Sequence, residues 1–189
     1  MECATSSAGW PPSVKVRRVI AGAIVASLAE TAVGGTFNQY RRSALRCERL
    51  ERYLASRWDA PLLLVGEAAG YRGARVSGIA FTSERQLTGT GPAEATATIV
   101  HGVLRELGLE DEVLLWNVVP THPGTPSSNR RPTRAEIEAG LPFLRLVARG
   151  RRAVAVGRVA HGVLGGPYVR HPSHGGASAF RAGLAGLAR

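Results

Sequence analysis

Lysine is nearly missing from this chain: Lys15 stands alone against 23 arginines. Codon composition by itself explains a preference for arginine. It does not explain where acids are lacking, since Val113 to Arg189 holds eleven arginines and only two acids, Glu136 and Glu138. A half so basic favours a polyanionic partner, nucleic acid first, through release of counterions. Cysteine is scarce as well. Cys3 and Cys47 are too few and too far apart for a zinc site or an iron–sulfur cluster. No Gly-x-Ser-x-Gly elbow occurs, and so few acids leave little to complete a triad, so a serine hydrolase built on Ser173 and a histidine ranks last. His122 in "THPG" has no second ligand at useful spacing, which argues against a metal there. There is no internal repeat and no low-complexity tract.

What is present reads as one α/β domain. Residues 1–13, rich in Ser, Pro and Gly, are expected to be disordered, and 14–189 to form the domain. "KVRRVIAGAIVASLAETA" loosely imitates a secretory signal, and its competing reading is a first helix packed on the domain. It is too short to span a bilayer. "SALRCERLERYLASR" is an amphipathic helix, and "APLLLVG" is a buried parallel strand. "GPAEATATIVHGVLRELG" opens a helix with Pro92 in its first turn, and "EVLLWN" is a second strand. Thr133 and Glu136 form a capping box for a helix ending at Gly150, which Pro142 is expected to kink or split. "RAVAVG" is a third strand, followed by a short helix from Arg158; "PYVR" is a fourth strand and "SAFRAGLAGLAR" a closing helix. Alternation of this kind predicts a three-layer α/β/α sandwich around a central four-stranded parallel sheet. Ligands in such sheets bind outside the carboxyl ends of the strands. "GEAAGYRG", "NVVPTHPG", "GR" and "HPSHGG" each follow one strand, so they are expected to meet at one edge.

Three of these stretches, in this order, resemble the uracil-DNA glycosylase superfamily from about Phe37 to the C-terminus. "GEAAGYRGARVSGIAFTSE" is similar to the Gly-Glu-Ala-Pro-Gly loop of bacterial and archaeal members, "NVVPTHPGTPSSNRRPTRAEI" to their Asn-bearing second strand and Asn-Arg-x-Pro-Thr segment, and "HPSHGG" to the His-Pro-Ser loop that enters DNA. "TFNQYRR" looks like the Asn-Pro-Tyr lead-in of an actinobacterial branch, with Gln39 in place of proline. The iron–sulfur branch uses four cysteines that are lacking here, so no metal and no cofactor are expected.

The resemblance implies roles for particular residues. Phe81 matches the aromatic that stacks on a flipped base, against the alternative of an ordinary core phenylalanine. Asn117 matches the residue that reads the pyrimidine edge, because a carboxamide both donates and accepts. His171 matches the histidine that donates to uracil O2 as charge builds on the leaving base. Gly66, Ala68 and Tyr71 belong to the substrate loop. Ser173, His174, Gly175, Arg130 and Arg170 are the expected DNA contacts, with Ser173 on a phosphate and His174 as the wedge. The best-known members place a water-positioning aspartate where this chain has Ala68; the Gly-Glu-Ala-Pro-Gly branch shares its absence, so Glu67 becomes the candidate to orient water or stabilise an oxocarbenium-like sugar. Glu84, the only other acid between Ala60 and Gly91, is the fallback. Two departures matter. Ala69 replaces a proline, which is expected to loosen the loop. Gly70 falls where uracil-specific members put a tyrosine that excludes the thymine methyl, a loss for which Tyr71 is placed to compensate.

The expected activity is hydrolysis of the N-glycosidic bond of uracil, or of other deaminated bases, in DNA. The expected protein is a cytoplasmic, nucleoid-associated monomer with uracil-containing DNA as partner. The alternative from another class is a binder of uracil or abasic-site DNA that does not release base, or that traps the sugar covalently through His174 or Glu67.

Overall fold

A computed structural model describes residues 13–187. The disorder expected of residues 1–13 therefore lies outside the described residues except for Ser13, whose hydroxyl accepts from the Val16 amide at the start of α1. Helix α1 (Val14–Glu30) buries Ala21, Ile24, Val25, Leu28 and Ala29. It packs along α2 (Ala44–Ser56), as the helix reading of this segment expects. Among the described residues no helix is long and apolar enough to cross a membrane.

Strand β1 (Leu62–Ala68) is followed by two short helices, α3 (Ala74–Ser77) and α4 (Glu84–Thr88), and then α5 (Ala95–Glu106). Pro92 is not in the first turn of α5. The helix begins at Ala95 with Glu94 at its cap, while the Pro92 carbonyl accepts from the Arg85 amide and so serves the preceding turn. Strand β2 (Val113–Val119) leads to a hairpin of two-residue strands, β3 (Gly124–Thr125) and β4 (Ser128–Asn129). Helix α6 (Arg134–Ala148) carries the expected capping box. It continues through Pro142 instead of splitting there. The carbonyl that loses its partner is that of Glu138, an exposed residue that water can reach. Strand β5 (Arg152–Val156), α7 (Arg158–Leu164), β6 (Tyr168–Val169) and α8 (Ala177–Leu187) complete the fold.

The four long-range strands form one parallel sheet in the order β2-β1-β5-β6. Side chains alternate between its faces. Leu63 and Val65 join α1, α2, α6 and α7 on one side, whereas Leu62 and Leu64 join α5 and α8 on the other. Burial on both faces accounts for the unbroken apolar runs of the strands. Because every strand runs the same way, their carboxyl ends share one edge, and the site lies there.

Candidate active site

A cleft of about 380 Å³ opens at that edge, within the range of small-molecule sites. Its lining includes Glu67, Ala68, Ala69 and Gly70 from the end of β1, Asn117 from β2, Phe81, and His171, Ser173 and His174 from the loop after β6. Residues separated widely in sequence thus surround one space.

Its floor follows from register. Gly66 of β1 lies directly beside Asn117 of β2 in the parallel pair. A Cβ on Gly66 would come within 2.6 Å of Asn117 Oδ1 and 2.9 Å of Phe81 Cε2. The missing side chain is therefore what lets the Phe81 ring and the Asn117 carboxamide meet. Both are buried.

Phe81 sits at φ 52°, in the left-handed region that a bulky L-residue seldom adopts. The loop holds it there. Ser77 Oγ donates to the Thr82 carbonyl at 2.6 Å, Thr82 Oγ1 lies 3.0 Å from His101 Nε2, and Tyr40 OH donates to the Gly78 carbonyl at 2.8 Å. The "TFNQY" lead-in thus acts as a brace. Asn38 donates to carbonyls at the end of α1, and Gln39 donates to the Pro120 carbonyl at 2.9 Å. Sequence reading did not find Ser77, Thr82 or His101 in this support.

His171 faces Phe81, with ring centroids 6.5 Å apart. Gly157, at the end of β5, makes room for it; a Cβ there would lie 3.3 Å from His171 Cβ. The Ser173 amide donates to His171 Nδ1 at 3.2 Å, and Ser173 Oγ lies 2.8 Å from the same nitrogen. With Nδ1 accepting, this network assigns the ring proton to Nε2, the nitrogen left to donate. Burial lowers the His171 pKa and the nearby His174 lowers it further, both favouring neutral imidazole. Ser173 Oγ also lies 3.0 Å from His174 Nδ1, so this hydroxyl is a strut between two rings. Among the described residues no carboxylate hydrogen-bonds either ring, so no serine triad is assembled. His174 adopts φ 52°, is exposed and stands at the mouth.

The two candidate acids part company. Glu67 lines the cleft, its pKa raised by burial and drawn back by the Arg131 guanidinium. Glu84 does not line it. Arg49 holds both its carboxylate oxygens at 2.8 Å, and that bidentate pair keeps the Glu84 pKa low, which removes it as a reserve for water activation. An acid beyond the sequence search occupies the cleft instead: Glu94, just before α5. The signal for it was an acid at the cap position of a helix following the glycine-rich loop.

Other expected contacts fall outside the lining. Tyr71 is one: its amide donates to Asn129 Oδ1 at 2.9 Å, and its ring lies beside the Arg72 guanidinium, so it does not stand in for a side chain at Gly70. Arg170 is exposed and donates to the His174 carbonyl at 3.4 Å, bracing its own loop, and Gly175 has open space around it. Arg130 touches the cleft, but its guanidinium grips Glu136 through two hydrogen bonds of 2.8 and 2.6 Å. Arg131 keeps its cationic head without such a partner among the described residues. The loop lacking its proline is held by other means. His122, fully buried, sets Nδ1 2.7 Å from the Ala69 carbonyl and Nε2 2.8 Å from that of Thr125.

A family model described as the uracil DNA glycosylase superfamily matches residues 54–182. The chain belongs to that superfamily, a family of DNA glycosylases acting on DNA. Among solved structures, the crystal structure of wild-type SMUG2 from Pedobacter heparinus matches with a TM-score of 0.67 at 11% identity, over 88% of this chain and 95% of that one. At that identity the likeness concerns the fold. No curated protein matches the sequence.

Proposed function

We propose that this protein releases uracil from DNA by hydrolysis of the N-glycosidic bond. The observation that carries the reading is the shared cleft that Phe81, Asn117 and His171 line, with His171 Nδ1 accepting from the Ser173 amide and Nε2 left to donate. An extruded base stacks on Phe81, and Asn117 accepts from N3–H while donating to O4. His171 Nε2–H donates to O2, where negative charge grows as the bond to the sugar breaks. A neutral donor suits this role, because it stabilises the anion without surrendering its proton. Glu67 orients the attacking water, or as carboxylate faces the developing positive charge on the sugar. Arg131 and the loop at His174 hold the phosphates on either side.

Purified protein incubated with a labelled uracil-containing oligonucleotide is expected to leave abasic sites. No release of uracil at high protein concentration, together with salt-sensitive binding to the same DNA, would turn the assignment to a binding protein. A persistent protein–DNA band on a denaturing gel would turn it to a covalent trap. Activity that survives His171→Ala, Glu67→Ala and Asn117→Ala alike would overturn the mechanism.

A further inference from the structure

We propose that Glu94 is the specificity-determining residue of the cleft, its carboxyl forming the wall that a methyl group on pyrimidine C5 would meet. The assignment rests on the glycosylase reading above. With the base face on Phe81, N3 and O4 at Asn117 and O2 at His171, the C5–C6 edge is left for the remaining wall. Ala69, Gly70 and Glu94 line the cleft, and that edge is assigned to them. Gly70 presents no side chain, and the place a Cβ would take is filled by the end of Glu94, whose Oε1 it would overlap and whose Cδ would lie 3.3 Å away. Gly73 is filled in the same way, with a Cβ 2.8 Å from Glu94 Cδ. The surface offered to the base is therefore a carboxyl group laid across two bare glycines.

That carboxyl has no side-chain cap bond to α5 and no other hydrogen-bond partner among the described residues. Burial raises its pKa, with no counter-charge to offset it. A half-buried carboxyl so placed keeps water as its partner. Uracil, with only hydrogen at C5, leaves that water in place. A methyl displaces it, offers no bond in return and leaves the carboxyl unsatisfied. Exclusion here comes from dehydration of a polar wall, and an apolar side chain at position 70 is not needed.

The test compares uracil and thymine release, each opposite guanine in duplex oligonucleotides, by wild type, Glu94→Ala and Glu94→Gln. Circular dichroism checks folding, and Glu94→Gln serves should Glu94→Ala fail to fold. Wild type is expected to release uracil and spare thymine. Glu94→Ala is expected to raise the thymine-to-uracil ratio roughly tenfold, the lower part of the range for a polar group stripped of its hydrogen-bond partner. Glu94→Gln, which keeps a polar wall, is expected to stay near the wild-type ratio. An unchanged ratio in Glu94→Ala, with uracil release retained, would overturn the role of Glu94 and leave the glycosylase reading standing. Loss of uracil release in both folded variants would move Glu94 into the chemistry and overturn its assignment as a wall. A wild type that releases no uracil would overturn the glycosylase reading itself, and this inference with it.

Discussion

A single methyl group on Gly66 should disable the site while leaving the fold largely intact. The residue lies in β1 beside Asn117, beneath the point where two functional side chains meet. The added Cβ would fall 2.6 Å from Asn117 Oδ1 and 2.9 Å from Phe81 Cε2, short of ordinary contact by a good part of an ångström. The backbone of a central strand is held on both sides by parallel partners, so the side chains must move. Displacing a substrate-positioning group by about 1 Å costs roughly 10²-fold in rate. The overpacking itself is expected to cost about 1–3 kcal/mol of stability. Single-turnover uracil release measures the first effect and urea unfolding the second. Gly102→Ala is the control, since nothing lies within 4 Å of a Cβ at that position in α5. It should leave the rate alone and raise stability by about 0.5–1 kcal/mol. A Gly66→Ala variant that releases uracil at the wild-type rate would refute the idea that Phe81 and Asn117 set the geometry of the reaction.

Other expectations follow from the same arrangement. His171→Ala should lower single-turnover uracil release by roughly 10²–10³-fold, the usual worth of one donor aimed at developing charge. Arg131→Gln should move the acid limb of the pH–rate profile upward, because burial raises the Glu67 pKa and Arg131 opposes that rise; an unmoved limb would separate Glu67 from the chemistry. Burial lowers the His101 pKa below the ordinary 6.5, so the unfolded chain binds its proton first. Stability should therefore fall as pH drops below about 6.5, and His101→Gln should flatten that part of a urea-midpoint profile. Glu136 acts in the same sense at lower pH. Its pKa is pulled down to about 2 by Arg130, so its stabilisation is present above 4.5 and lost as pH falls toward that lower value. Glu136→Gln should cost about 2–3 kcal/mol at neutral pH by thermal unfolding, below the fully buried range because the Arg130 side chain remains 42% exposed.

The layered fold was legible because both faces of the sheet are covered. A strand buried on two sides must read as an apolar run, and "LLLV" and "VLLW" do. The capping box of α6 was equally plain, since a cap is a local contact between Thr133 and Glu136. Even the meeting of loops at one edge followed from strand direction alone. Choosing among the charged groups was another matter. Glu84 and Glu67 look alike in sequence, and only packing delivers Arg49 to the first and a half-buried cleft to the second. Arg130 and Arg131 are adjacent, yet one is given to Glu136 and the other is left facing the cleft. Glu94 and Gly70 stand far apart in the chain, and their contact depends on how α5 docks against the glycine-rich loop. Local pattern thus determined the elements and their order, because hydrogen bonding and burial along a segment depend on near neighbours. The role of each ionisable group was decided by the tertiary structure, because charge acts through space on whichever partners folding brings within a few ångströms.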